Sequence, residues 1–464
     1  MQAGPGTLDP GLINQASQWY IDLAYSPLIQ AASDGTLRAS LATKWGYVGS
    51  GNTEFQLTLR KGVEFSDGSK LTADGVKQHL EYVKRAGGQS AAALATMTTV
   101  TATGNIVDIK FSSANPDLEH YFSQAGVGVA DVISTKGLQD TKALGTETHG
   151  AGPYMLDTSA TVANDHYVYV PNPHYWDKAN VHWKKVTIKV IANNNSVLNA
   201  LKSGQADFAP GDYTTAAAAT SAGLQVHFVP NVFSGLNLLD REGKLVPALG
   251  DVRVRQAINY AIDRDAIVKA IYGKYGTATT QTTHEAGFQK ALDSYYAYDP
   301  AKAKKLLTEA GYPDGFTFTV ASTPFFNGDT MVQAVAAQLA KVGIIITSDS
   351  IADANDWVQK MASGTYPAAW IGFGSLSLFV EGQALYGSGA LFNAFKSTDP
   401  QLTSDYTKLA TASPADVKAI SESSDNYNGH VPDHGDHRPQ ASQQVGQRNI
   451  VTQLHDQRTS RRVS

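Results

Sequence analysis

The stretch DVRVRQAINYAIDRDAIVKAIYG, residues 251–273, decides how this chain is read. Asp251 suits a helix N-cap, because its carboxylate can accept from backbone N–H groups that have no partner inside the helix. Val254, Ile258, Ala261 and Ile262 follow at i, i+4, i+7 and i+8, which puts one apolar face on a long helix. Arg253, Arg255 and Arg264 are expected on that helix's surface, in ion pairs. Downstream, Asp299-Pro300 joins an N-cap to a proline at the first helical position. Ala303, Leu306, Leu307 and Ala310 form the buried stripe, and Gly311 ends it. Residues 316–320 then read as a strand, 331–342 as a helix and, after Gly343, 344–347 as another strand. Strand and helix alternate, which argues an α/β fold.

Upstream the same signals recur. Residues 53–60 alternate apolar and polar side chains, the pattern of a half-buried strand. Ser66-Asp67-Gly68-Ser69 supplies a tight turn. A helix is expected from Thr72-Ala73-Asp74 toward Arg85, with Asp74 favourably placed at the positive end of the dipole. Residues 186–191 read as a strand, and 195–203 as a helix closed by Gly204.

At 464 residues the chain exceeds one core and implies two or three domains. Net charge is −5, with no basic footprint for nucleic acid. There are no cysteines, which excludes disulfides, thiolate metal sites and cysteine nucleophiles. No apolar run reaches the ~18–20 residues of a membrane span. Walker, HExxH, GxSxG and dinucleotide fingerprints are all missing, and no spacing singles out an acid/base pair, so no catalytic residue is assigned. His430, His434 and His437 have a spacing that could hold a metal. They read instead as incidental residues of a polar tail, and neither a metal nor a cofactor is expected.

Seven strings stand in order: GTLDP (6–10), LATKW (41–45), FQLTLRKGVEFSDGS (55–69), GAGPY (150–154), NPHYW (172–176), LKSGQADF (201–208) and the 251–273 helix. In that order the chain resembles the peptide/nickel-type (family 5) extracellular solute-binding proteins of ABC importers. The resemblance covers roughly residues 6–420. It implies a two-lobed α/β fold of the periplasmic-binding-protein type II kind, with an inserted domain and a hinge. Domain I would hold residues 1–35 and 148–235, domain II 36–147 and domain III 236–420. The implied function is to capture a small or short oligomeric solute (peptide, oligosaccharide or metal chelate) in a cleft and deliver it to an ABC permease. Such a protein is a monomer outside the cytoplasmic membrane, in the periplasm or as a surface lipoprotein. Family members carry a secretion signal and a first strand ahead of GTLDP, so this chain is expected to be trimmed at its N-terminus. The competing reading is an extracytoplasmic enzyme, such as a glycoside hydrolase with two cleft carboxylates. A third is a metal carrier using the histidine-rich tail.

The resemblance places ligand contacts in the cleft, where aromatic surface meets a few polar groups. Candidates are Trp19, Tyr20 and Tyr25, then Asn231 and Phe233, then Trp370, Phe373 and Ser375 in WIGFGSLSLF (370–379). Trp357 reads as packing. Peptide receptors of this kind carry an Asp-Pro that pairs with the ligand's α-amino group. Here the corresponding SLFVEGQALYG (377–387) offers only Glu381, so free dipeptides are expected to bind weakly.

The tail departs from all this. Only eight of the 44 residues from 421 to 464 are apolar. Such a segment is expected to stay disordered, leaving domain I without a returning C-terminal strand.

Overall fold

The computed structural model describes the chain except residues 33–34, 282–289, 291–294, 375–376, 388, 414–415, 418, 421–442 and 454–464. At 229–231, 326, 354–355, 373–374, 378, 401 and 443–453 the description is confined to the backbone. The chain divides into two compact units, Met1–Val197 and Leu198–Ser464.

In the first unit, β1 (Ile29–Ala31) pairs with β2 (Leu37–Ala39). β3 (Ala42–Tyr47), β4 (Glu54–Leu59), β5 (Met97–Thr103) and β6 (Ile106–Phe111) form an antiparallel sheet in the order β3-β4-β6-β5. Along β4, Phe55, Leu57 and Leu59 are buried and their neighbours half-buried, the alternation read from the sequence. The helix Ala73–Ala86 brings Val76, Leu80 and Val83 into the same core. Thr72 Oγ1 caps it by accepting from Gly75 N at 3.0 Å, and Gly87 closes it at φ +76°. β7 (Tyr154–Leu156), β8 (His166–Pro171) and β9 (Val186–Lys189) make a second antiparallel sheet. It shares a separate core with Leu8, Ile13, Tyr20, Ile21 and Tyr25.

Residues 23–29 are tied by backbone hydrogen bonds to segments from all over this unit. Gly152 N donates to Ala24 O at 2.8 Å and Tyr154 N to Leu23 O at 3.0 Å. Ala42 N donates to Leu28 O at 2.8 Å, while Leu28 N and Ile29 N donate to Ala130 O and Phe122 O. The glycines of GAGPY permit this contact: a Cβ on Gly150 would stand 2.2 Å from Ala24 O, and one on Gly152 2.5 Å from the Ala24 carbonyl carbon.

In the second unit, β10 (Phe208–Gly211), β11 (Gln225–Leu238), β12 (Thr277–Thr279), β13 (Phe316–Ser322), β14 (Ile344–Ser350), β15 (Ala368–Gly374) and β16 (Gln443–Gln453) form one sheet. Its order is β10-β16-β11-β15-β13-β14, with β12 pairing β16. β13 runs parallel to both β14 and β15. The helices Pro300–Glu309 and Gly328–Leu339 bury Leu307, Met331, Val332 and Val335 in the core shared with Phe318 and Val320.

Several expectations need correction. The apolar face of residues 251–273 belongs to two helices, Val252–Tyr260 and Arg264–Ile271. Asp263 stops the first from continuing: its carboxylate caps the second by accepting from Ala266 N at 2.9 Å. Arg253 is exposed and ion-paired to Asp251, as expected. Arg255 and Arg264, however, are buried. Arg255 Nη1 donates to Leu249 O at 2.8 Å and Gly250 O at 2.9 Å, and Arg264 Nη2 to Asn259 Oδ1 at 2.8 Å. Helix ends leave carbonyls without intrahelical donors, and a guanidinium has five N–H groups to give them.

Residue 235, the expected bound of domain I, lies within the strand β11, which pairs with β15 at that point, and residues 208–238 share a sheet with 316–374; this pairing leaves the domain layout itself open as a proposal. The tail also differs from expectation. Residues 443–453 form β16, which lies between β10 and β11. Few of its side chains are apolar, yet a strand needs none to satisfy neighbouring backbones: β11 offers N–H and C=O groups along its whole length. His430, His434 and His437 lie outside the described residues.

Truncation after residue 442 would strip pairing from β10, β11 and β12 together. The truncated chain should melt lower by several degrees or more and self-associate on size-exclusion chromatography, because an unpaired interior edge templates aggregation. Equal melting temperatures for the two chains would show that β16 contributes nothing.

Candidate functional site

The proposed ligand contacts separate into surface and core. Trp19 stands 44% exposed on the short 3-10 helix Gln15–Tyr20. Tyr20 and Tyr25 are buried. Tyr20 OH donates to Ala3 O at 2.7 Å and its ring meets Tyr167 edge-on, while Tyr25 OH accepts from His149 N at 3.1 Å. Their hydroxyls are therefore engaged in holding the first unit together.

In the second unit Phe233 is buried on β11, opposite Phe373 on β15, and Leu236 is opposite Trp370. Trp370 is 1% exposed and sits in the main core; a Cβ on Gly328 would lie 2.9 Å from its ring. A tryptophan held this way packs a helix onto the sheet. Trp357 packs against Phe392, ring centroids 5.5 Å apart, as expected of a packing residue. Glu381 is buried in the first turn of the helix Leu378–Leu385, which Ser377 caps. Asn231 and Phe373 are described by backbone alone, and Ser375 lies outside the described residues.

The 3-10 helix that carries Trp19 outward turns Gln18 inward, and there it meets two acids that sequence reasoning did not single out. Gln18 Nε2 lies 2.9 Å from Asp22 Oδ1 and 3.0 Å from Asp131 Oδ2. Only the NH2 side of an amide can serve two carboxylates, so the orientation of Gln18 is fixed. Asp131 is 1% exposed and its backbone bridges to Pro27, part of the buried 23–29 segment. Gln18 Oε1 and Asp131 Oδ1 are buried and have no hydrogen-bond partner. Asp22 keeps solvent contact, yet the surrounding chain is dense enough that burial pushes its carboxyl up to about 6, against the hydrogen bond from Gln18. Burial first, then the charge of Asp22, pushes the Asp131 carboxyl up to about 7, against the hydrogen bonds from Gln18 and Gly128 N–H. An acid flanked by apolar residues in VADVI (129–133) was the available sequence signal.

Chemically, the cluster accepts hydrogen bonds and carries negative charge. The Gln18 amide fills the space between the carboxylates, where a hydrolase would need a water or a glycosidic oxygen. Among the described residues no group of three or more metal-ligating side chains occurs, and no helix is long and apolar enough to cross a membrane.

Comparison with known proteins agrees with the motif order. The family model described as bacterial extracellular solute-binding proteins, family 5 Middle, matches residues 36–382. The glutathione-binding protein GsiB of Salmonella paratyphi A is 29% identical over 353 residues, 73% of this chain and 66% of that protein. The match thus spans just under two thirds of the relative's length. Among solved structures, HbpA2 from Haemophilus parasuis superposes with a TM-score of 0.80 at 19% identity, covering 97% of this chain and 93% of that one. AgaA from A. tumefaciens R10, in complex with agropinic acid, gives 0.75 at 21% identity, covering 97% and 92%. The fold class read from the sequence, α/β of the two-lobed periplasmic-binding-protein type, is the fold of these structures.

Two measurements check these placements. Trp370→Ala should destabilise the chain by about 3–5 kcal/mol, as expected for an emptied core site, seen as a lower denaturation midpoint without any ligand. Asp131 should also leave a mark on the pH dependence of stability. The unfolded carboxyl ionises near its ordinary value, while the buried one keeps its proton to about 7. Between pH ~4 and ~7 Asp131 therefore makes stability fall as pH rises, by at most about 1.4 kcal/mol per unit, and Asp22, pushed up to about 6 by burial, adds to the fall below pH ~6. Asp131→Asn should flatten that slope in paired denaturation curves; parallel curves would mean that Asp131 ionises normally.

Proposed function

We propose, from the premise that this chain belongs to the bacterial extracellular solute-binding proteins of family 5, that it is the substrate-binding component of an ABC importer. It works outside the cytoplasmic membrane, captures a small solute without chemical change, and hands it to a membrane permease. The observation that carries this reading is the family match over residues 36–382, continuous across most of both compact units. The solute classes to test follow from the relatives: glutathione for GsiB, and agropinic acid for AgaA. Binding rather than catalysis fits the site chemistry, because the pair of carboxylates brought together by Gln18 has an amide between them.

The three-domain layout suggested by the motifs remains part of the proposal. β11 runs through residue 235, which fits a layout in which the domains exchange strands. The exposed Trp19 is the aromatic candidate best suited to meet a solute, and its fluorescence is a ready reporter.

Purified protein should show saturable changes in melting temperature and tryptophan fluorescence with one member of a panel of glutathione, tripeptides, opines, oligosaccharides and metal chelates. The bound compound should be recovered intact. No saturable response to any of them, or a compound consumed during incubation, would overturn the reading.

A further inference from the structure

We propose that Gln18, Asp22 and Asp131 form an ammonium-binding subsite that takes a protonated amine of the captured solute. This rests on reading the chain as a solute receptor. The argument begins with hydrogen-bond accounting. Asp131 Oδ1 and Gln18 Oε1 are buried, and both are acceptors with no donor. Unmatched buried atoms occur elsewhere in this chain, on Arg241 and Trp370 among others, but here two unmatched acceptors belong to side chains hydrogen-bonded to each other, a place for a donor from outside the chain. Gln18 cannot supply it by flipping, because its NH2 group already spans the two carboxylates at 2.9 and 3.0 Å.

Charge then selects the donor. Among the described residues neither Asp22 nor Asp131 has an ion-pair partner, so above pH ~7 two carboxylates face each other across one neutral amide. A water could donate but would not offset the charge. A protonated amine brings three N–H donors and one positive charge. Three acceptor groups are available to it: Asp131 Oδ1, Gln18 Oε1 and the exposed carboxylate of Asp22. Asp22 is the exposed member of the cluster and Asp131 the buried one. The raised carboxyl of Asp131 agrees with a site lacking its counter-charge, since a bound cation would bring it back down.

The chain itself supplies one rival explanation. A proton on Asp131 Oδ1 could close onto Gln18 Oε1 and satisfy both atoms with no ligand. The two explanations differ in what a small cation does.

Methylammonium chloride is the probe, titrated into the full chain at pH 8 against sodium chloride at equal ionic strength, with the aspartate carboxyl carbons followed by NMR. A saturable shift of the Asp131 and Asp22 resonances is expected, together with a lower apparent pKa for Asp131, and both effects should vanish in Asp131→Asn. Asp22→Asn, an exposed substitution that threatens folding less, should weaken them at least about threefold. If methylammonium does no more than sodium, the rival explanation holds and the subsite is wrong. A second arm compares glutathione and trialanine with their N-acetylated forms. For whichever binds, the free amine should be favoured at least about tenfold, and Asp131→Asn should remove most of that preference. A bound solute with no preference for the free amine overturns the subsite while leaving the receptor reading intact. Carboxyl shifts with methylammonium but no solute bound would have the opposite meaning.

Discussion

The first unit depends on a run of buried backbone, residues 23–29. Buried N–H and C=O groups must find partners, and these find them on four separate segments: residues 41–42, 122, 130 and 152–154. One stretch of chain thereby joins the sheet β3-β4-β6-β5 to the β7–β9 sheet and fixes where residue 131 stands relative to residue 18. The contact tolerates no side chain at Gly150 or Gly152, where a Cβ would come within 2.2–2.5 Å of Ala24. GAGPY is thus a steric requirement before it is a family signature. It acts on the candidate site at one remove, by holding the segment whose Pro27 bridges Asp131.

Local chemistry was the most legible part of the sequence. Thr72, Asp251 and Asp299 were read as caps, or as the start of a helix, and each accepts from a backbone N–H in its helix's first turn. Gly68, Gly204, Gly311 and Gly343 were read as turns or helix ends, and each has a positive φ. These signals work because they need only neighbours in sequence. The break at 261–263 was missed although Asp263 is itself a capping residue, because apolar periodicity carries on across it. β16 was missed for a different reason. Its place depends on what β10 and β11 offer from over two hundred residues away, which composition does not record.

The candidate site was less legible, and aromatic residues show why. A sequence marks both Trp19 and Trp370 as large amphipathic side chains that can fill a core or meet a ligand. Exposure separates them, at 44% and 1%, and exposure is a property of packing. Tyr20 and Tyr25 were drawn inward because their hydroxyls could be satisfied there, by a carbonyl and an amide of the chain itself. The acids of the cluster lie 109 residues apart in sequence, and no spacing rule joins positions 22 and 131.

How this molecule buries charge elsewhere gives the Asp131 site its meaning. Asp240 is fully buried, and its carboxylate accepts from the backbone N–H groups of Lys244, Leu245 and Val246 at 2.7–2.8 Å. Arg241, also buried, donates to Leu238 O and to Asn393 Oδ1. At Asp240 the fold encloses a charge and surrounds it with matching groups, the condition under which burial is tolerable, whereas Arg241 keeps a buried Nε with no partner. Asp131 is enclosed as tightly, yet one of its oxygens and the neighbouring amide oxygen lack donors. A fold that completes the shell of Asp240 from its own backbone is not short of the means to complete one for an acid at 131. The unmatched acceptors at 18 and 131 depart from what Asp240 receives, and departures of that kind belong to functional or strained sites.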